Sequence, residues 1–488
     1  MLIRNKSVIT YASLLTLEQI ERVHAASLEI LENVGLLVRN DKARSIFSKH
    51  GCKVDSETLI VKFPRTVVEK YRSMLPPTFT FRGRDPKFDR TIPQDGPIII
   101  TGSSAPNIID PLTGQERRAR SDDIARIAHL INELDAIDVF SISTLADDAP
   151  EGQFTLARLY PALKYCVKPI RSTTTDMEDI QAILRLLYAI AGSEAAYREH
   201  PFVTHHYCPV VSPLTMDKLS TEAIIYFSEK GLPVYPSIVP NAGLTSPMSM
   251  AGTLVQGNAE FLAAAVLMQM VREGTPTIYA SLPTVADMRS GAYASGGIEC
   301  GILHMAFAQM AHFYNVPCGG YIGLSNSKIN DAQSGYETGM SSVAGVLAGM
   351  DMLNMAGLLD ALKVFDFAKA VIDDEIAQML KRLKRGVAFS EEELGLEVIA
   401  QTKPGGTFLM NPHTAKRMKT EALLTKISDR DQRNIWEKKG SLDTQAHAMQ
   451  RANEILAKSS STIFPREVED RIRAEFPDLI PGVLEMPK

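Results

Sequence analysis

The residues of this 488-residue chain that could do chemistry are mostly aromatic and neutral. His205, His206, Tyr207, Tyr235, Tyr279 and Tyr321 all fall at or near the ends of short apolar runs. An aromatic, weakly charged pocket suits a quaternary ammonium group, because ring faces attract a cation without the desolvation cost of a carboxylate pair. The same tyrosines could instead fill a core layer and hydrogen-bond through their hydroxyls. His205 and His206, followed by Cys208, raise the question of a metal. Adjacent strand residues point to opposite faces, so the two imidazoles cannot converge, and a zinc site would need help from another strand, such as Cys318. No protein-bound metal is expected. There is no GxxxxGK[ST] phosphate loop, and no GxG spacing leads from a strand into a helix.

The elements that must position these residues recur eight times. Apolar runs occupy residues 97–101, 137–142, 167–172, 202–207, 233–237, 275–281, 316–321 and 351–354, with starts about 30 to 42 residues apart. That spacing suits one strand, one helix and two loops per unit, and eight such units predict a (β/α)8 TIM barrel. Barrel enzymes build their sites at the C-terminal strand ends. Here those ends carry Ser103 and Ser104, Ser143, Ser172 to Thr175, His205 to Tyr207, Ser237, Ser281, Tyr321 and Asn354. On the sixth run Thr277, Tyr279 and Ser281 share a face. Tyr235 with Ser237, and His205 with Tyr207, do so on the fifth and fourth. The outer face of a barrel packs against helices and is apolar, so these polar sets are expected to point inward.

The barrel is predicted over residues 97–383, with an α+β cap at 1–96 and a C-terminal helical extension at 384–488 packed on it. Thr16 is the expected N-cap of the first helix, which Gly35 ends. Alternating residues 53–63 and 78–82 read as short strands that pair with one another. Ser390 with Glu393 forms a capping box, Pro412 opens a helix, and Ser428 with Asp429 is expected to cap the helix carrying Trp436.

Composition is that of a globular protein, with 45% hydrophobic and 22% charged residues. A net charge of −5 argues against nucleic acid or an anionic membrane as partner. Five scattered cysteines without a CxxC, and an N-terminus without an apolar leader, predict the cytoplasm. Residues 341–362 are apolar enough to raise a membrane span, but Gly345, Gly349, Asp351 and Asn354 interrupt them. A homo-oligomer is expected.

The loop after the seventh run, residues 319–337 (GGYIGLSNSKINDAQSGYE), is rich in glycine and small polar residues. With it go residues 110–118 (DPLTGQERR) and Asp122 and Asp123, residues 63–69 (FPRTVVE) with Pro76 and Phe79, and residues 411–414 (NPHT) with Asp429, Arg430 and Trp436. In these segments, spread over nearly the whole chain, the sequence resembles the trimethylamine methyltransferase superfamily. That resemblance implies methyl transfer from an amine to a corrinoid (cobalamin) cofactor carried by a partner corrinoid protein, with no cofactor held by this chain.

Trimethylamine-specific members carry pyrrolysine near the barrel centre, whereas this chain contains only the twenty ordinary residue types. A tertiary amine is a poor methyl donor until something quaternises it. A quaternary ammonium already has a neutral leaving group. The resemblance therefore implies the non-pyrrolysine branch and a quaternary amine, with glycine betaine first, then carnitine, γ-butyrobetaine and proline betaine. Co(I) would attack the N-methyl carbon in line, the chain supplying positioning and electrostatics. For a betaine carboxylate the candidate partners are Arg171, Arg289, His205 and Asn326. Tyr207, Tyr235, Tyr279 and Tyr321 are the candidate cage. The rivals are a lyase or aldolase using Lys328 or Lys168 as a Schiff-base amine, and a non-catalytic betaine-binding subunit.

Overall fold

Each apolar run becomes a strand, since short runs rich in branched and aromatic residues and bounded by Gly, Ser and Pro favour the extended chain. The computed structural model describes residues 11–174 and 176–484. The strands are β1 (Ile98–Thr101), β2 (Phe140–Ser141), β3 (Ile170–Ser172), β4 (Val203–Tyr207), β5 (Val234–Ile238), β6 (Tyr279–Ser281), β7 (Cys318–Gly320) and β8 (Met352–Ala356). They lie side by side in that order, all parallel, and β8 pairs back onto β1. A parallel bridge from Ile100 to Val139 closes the ring between β1 and β2.

One long helix follows each strand: α1 (Ser121–Glu133), α2 (Phe154–Tyr165), α3 (Met177–Ala191), α4 (Leu219–Lys230), α5 (Met250–Val271), α6 (Ile298–Tyr314), α7 (Ala332–Leu347) and α8 (Phe367–Arg385), with a short extra helix, Glu194–Glu199, between α3 and β4. Asp176, Ser249, Asp331 and Asp366 cap α3, α5, α7 and α8 by accepting the backbone N–H three residues on. Among the described residues α5 alone is long and apolar enough to cross a membrane, but 89% of its most apolar window is buried. It lies under the N-terminal helix Leu17–Asn33, where Ser27 donates to the Val255 carbonyl. Residues 341–362 divide between the end of α7 and β8.

Thr16 and Gln19 form a capping box at that N-terminal helix. The two short strands expected to pair with one another do not. Lys53–Val54 pairs with Ile60–Lys62, whereas Phe79–Phe81 pairs with Arg90–Ile92. The second hairpin plugs the N-terminal end of the barrel, where Phe79, Phe81 and Ile92 join Ile98, Ile100, Val139, Ile278 and Met352 in one buried cluster. Each fully buried side chain of that plug contributes roughly 1.5–3 kcal/mol, and this hydrophobic gain decides the pairing.

At the C-terminal end of the chain, Thr444–Leu456 and Arg466–Glu475 bury Ala448, Ala452, Ile455, Leu456, Val468 and Ile472. The span before them differs: no residue from 386 to 426 is buried. Ser428 does not cap the Trp436 helix. Its N–H and hydroxyl donate to Glu375, and Arg433–Lys438 starts at Gln432 without a side-chain cap.

Two small sheets sit over the C-terminal strand ends. One joins Asn107–Ile109 and Glu116–Arg118 to Leu358–Leu359 and Val364–Phe365. Arg117 locks it by reaching Asp110 at 2.7 Å and both oxygens of Asp123 at 2.7 and 2.8 Å. The conspicuous 110–118 segment is thus an ion-paired cover strap. The other sheet joins Asn241–Ala242 to the hairpin of Thr284–Asp287 and Ala292–Ala294.

Candidate active site

Strand registers decide what faces the barrel interior. Residues opposite one another on neighbouring strands share a face, and His206 pairs with Tyr235, Ser237 with Ala280, Ala280 with Gly319, Gly319 with Met352, and Met352 with Ile98. All of these point inward, as does Arg171 from β3. Gly320 permits the close approach of β6 and β7, since a Cβ there would lie 2.0 Å from the Ser281 carbonyl oxygen.

At the level of the strand ends, Arg171 crosses the interior. Its Nε donates to Ser141 Oγ at 2.9 Å and its Nη1 to the Tyr235 hydroxyl at 3.2 Å. Nη2 donates to the Tyr321 hydroxyl at 2.5 Å and to Ser103 Oγ at 3.3 Å. Ser103 and Tyr321 meet at 2.8 Å. The guanidinium is 2% exposed, and no carboxylate faces it among the described residues. Burial works against its charge, but Tyr235 and Tyr321 more than offset this and hold its pKa above the ordinary value. Arg171 is a fixed cation.

The groups around it stay neutral. Burial, aided by Arg171, lowers the His206 imidazole far below its usual pKa. Burial raises Tyr235 to about 12, with Arg171 opposing, and likewise raises the Cys208 thiol to about 11. The His206 ring lies 5.0 Å from Tyr235 and 6.3 Å from Tyr321, and its Nε2 is buried without a partner. Asn354, 1% exposed and on the same face of β8 as Met352, has both side-chain polar atoms unpartnered. Buried polar groups are normally hydrogen-bonded, so His206 and Asn354 are among the interior groups with hydrogen-bonding capacity to spare.

Of the expected cage, Tyr235 and Tyr321 come together while Tyr207 and Tyr279 do not. Tyr279 faces α5, stacked on Phe261 at 3.8 Å, and donates to Asn258 at 2.9 Å. Thr277 of the same face reaches Met268 on α5. Tyr207 turns outward onto Phe227 of α4 and hydrogen-bonds Thr174. His205 also faces outward, stacked on Phe227 at 3.8 Å. The expectation failed because a tyrosine can satisfy its hydroxyl under a helix as well as in a site, so polarity alone does not give its direction.

The other carboxylate candidates are also displaced. Arg289 is 90% exposed at a hairpin tip and paired with Asp287 at 2.6 Å. Asn326 is spent on structure: its Oδ1 accepts from Gly296 N–H, its Nδ2 donates to the Tyr293 carbonyl, and its N–H goes to Glu337. The Schiff-base lysines do not reach the site. Lys328 is 71% exposed and paired with Asp360. Lys168 is buried against the carbonyls of Ile131, Leu134 and Ile137, below the strand ends.

A closed (β/α)8 barrel with a cationic, hydroxyl-rich interior at its strand ends is the layout of a barrel enzyme. The profile of the trimethylamine methyltransferase (MTTB) family matches residues 3–478, and the chain belongs to that family of methyltransferases. It is 30% identical over 457 residues to the trimethylamine methyltransferase MttB of Desulfitobacterium hafniense (strain DSM 10664 / DCB-2), covering 94% of this chain and 92% of that one. It is 32% identical over 465 residues to the glycine betaine methyltransferase of Desulfitobacterium hafniense (strain Y51), covering 95% and 96%. Among solved structures, the hydroxylamine complex of MtmB superposes with a TM-score of 0.50 at 13% identity, covering 95% of this chain and 96% of that one. At that identity the likeness concerns the fold alone.

Proposed function

We propose that this chain moves a methyl group from a quaternary amine, glycine betaine foremost, to the Co(I) corrinoid of a partner protein, leaving a tertiary amine such as dimethylglycine. The carrying observation is the chemical character of the barrel interior. His206, Cys208 and Tyr235 are held neutral by burial, and Arg171 is held cationic. Such a set offers no thiolate or phenolate nucleophile and no imidazolium proton donor near neutral pH. It suits a reaction whose nucleophile arrives from outside and whose leaving group needs no proton, and a quaternary ammonium meets the second condition.

The corrinoid supplies the nucleophile, and this chain orients the donor. The rings of Tyr321 and His206 can hold the cation weakly, which is an advantage, since over-stabilising the charged ground state would slow transfer. A fully methylated nitrogen has no lone pair for a metal, so the reading includes no metal on this chain. The deciding assay combines purified protein, reduced corrinoid protein and a panel of amines, and follows the cob(I)alamin to methylcob(III)alamin spectral change. Methylation from a quaternary amine and none from trimethylamine is expected. Methylation from trimethylamine with none from any betaine would refute the reading.

A further inference from the structure

Two arginines are buried among the described residues, Arg158 at 5% and Arg171 at 2% exposure. Neither meets a carboxylate. Arg158, on α2, lies beside the β2 end with Nε on the Thr144 carbonyl at 3.0 Å. Its Nη2 reaches the Ile142 carbonyl at 3.3 Å and Ser104 Oγ at 3.1 Å. Its Nη1 makes no hydrogen bond among the described residues, and burial alone lowers its pKa to about 10. Adjacent serines hold the two cations, since Ser103 takes Arg171 and Ser104 takes Arg158. Ser104 does so from a left-handed backbone conformation, φ +64°, a strain of the kind that persists at ligand sites.

Both guanidiniums line one cavity together with Ser141, Ser172, Thr173 and His206. Burying a charge is costly unless an opposite charge accompanies it, and here two like charges share a wall with hydroxyls, carbonyls and the rings of Phe154 and Tyr321 around them but no carboxylate among the described residues. The free N–H groups are Nη1 of Arg158 and the second hydrogen on Nη1 of Arg171. A carboxylate is planar, monoanionic and able to accept from both. The cavity measures about 20 Å³, room for one water. A carboxylate oxygen can take the place of that water, whereas a trimethylammonium end is too large and must stay outside.

We infer that Arg158 and Arg171, bridged by Ser103 and Ser104, form the seat for the substrate's carboxylate, so the donors are carboxylate-bearing betaines and not choline or tetramethylammonium. The inference rests on the quaternary-amine reading above and adds Arg158 as a specificity-determining residue. With the carboxylate inside, the N-methyl groups are directed toward the mouth, where an acceptor on another protein can reach them.

Calorimetric titration of the full chain with glycine betaine, choline and acetate tests the seat without the partner protein. Glycine betaine should bind at least tenfold more tightly than choline, and acetate should compete with it. Folded Arg158→Met should lose at least tenfold in betaine affinity, and Arg158→Lys should recover little, because an ammonium cannot reproduce the guanidinium fork. Choline binding as tightly as betaine, or a folded Arg158→Met with wild-type affinity, overturns the seat. The unmodified chain supplies the first comparison even if the variant does not fold. The two proposals fail separately: methyl transfer faster from choline than from betaine sinks the seat alone, while tight betaine binding with no transfer to reduced corrinoid protein sinks the methyltransferase reading alone.

Discussion

The hydroxyl of Tyr321, at the exit of β7, accepts a 2.5 Å hydrogen bond from Nη2 of Arg171 on β3, so one phenol joins two strands across the barrel interior. The guanidinium carbon also lies 5.0 Å from the Tyr321 ring centroid. Gly319 and Gly320 precede this tyrosine, and Gly320 draws β7 close to β6. Tyr321 N–H then donates to the Ser281 carbonyl at 3.1 Å. The position of the cation therefore depends on the backbone of a strand far from it in sequence.

Tyr321→Phe should remove one acceptor from a buried cation and leave Ser103 without its hydroxyl partner. A hydrogen bond to a charged group contributes about 1.5–3 kcal/mol, and urea unfolding should show a loss of that size. Tyr336→Phe, at a tyrosine 56% exposed, should change stability by less than about 0.5 kcal/mol. Equal effects from the two substitutions would show that the Arg171 contact contributes nothing.

Tyr279 serves the fold rather than the ligand. Tyr279→Phe, which loses only the bond to Asn258, should cost about 1 kcal/mol. Tyr279→Ala, which opens a cavity beneath α5, should cost about 3–5 kcal/mol. Betaine affinity of folded Tyr279→Phe, measured by calorimetry, should stay within about twofold of wild type, the size of change expected from a site making no cation–π contact. A larger loss would return Tyr279 to the cage.

His205 is fully buried with neither ring nitrogen partnered, and burial lowers its pKa to about 3. The unfolded chain takes up a proton at this residue near pH 6.5, but the folded chain does not until far lower pH. Its contribution is therefore complete above about pH 6.5 and is lost as pH falls toward about 3, at up to about 1.4 kcal/mol per pH unit. His205→Phe keeps the stack on Phe227 and removes that proton. Denaturant titrations at pH 6 and pH 4 should show the variant losing less stability on acidification. Parallel losses would mean that the imidazole is solvated.

Gly320→Ala should be among the most damaging single-methyl additions. The new Cβ would stand 2.0 Å from the Ser281 carbonyl oxygen and 3.0 Å from His304 Nε2, and backbone cannot swing aside as a flexible side chain can. Overpacking of this kind costs about 1–3 kcal/mol, and more where backbone must shift. Thermal melts are the measure, with Gly335→Ala, where nothing lies within 4 Å, as the control. An unchanged melting temperature for Gly320→Ala would contradict the strand spacing.

Much of the architecture was legible along the chain. All eight apolar runs are strands in the order expected, and Thr16, Ser390 and Pro412 mark helix starts as their chemistry requires. These are local properties: period, turn residues and caps act over a few residues and need no partner. The cap of the Trp436 helix was misread because Ser428 finds Glu375, a partner 53 residues away.

The site was legible only in part. Arg171, Tyr235 and Tyr321 are brought together, whereas His205, Tyr207, Tyr279, Asn326 and Arg289 are not. Arg158 gave no signal, being one of two basic residues, with Lys164, in helix α2, and Asn354 was one polar residue among many strand ends. By itself the sequence determined that there would be eight strands, where each would end, and which family the chain joins, because periodicity and spaced motifs survive in one dimension. Only the tertiary structure decided which side of each strand faces the barrel interior. That choice depends on the registers by which Gly319 faces Met352 and Ala280 faces Ser237, and on where each buried hydroxyl or guanidinium finds its partner, all of which are contacts between residues far apart in the chain.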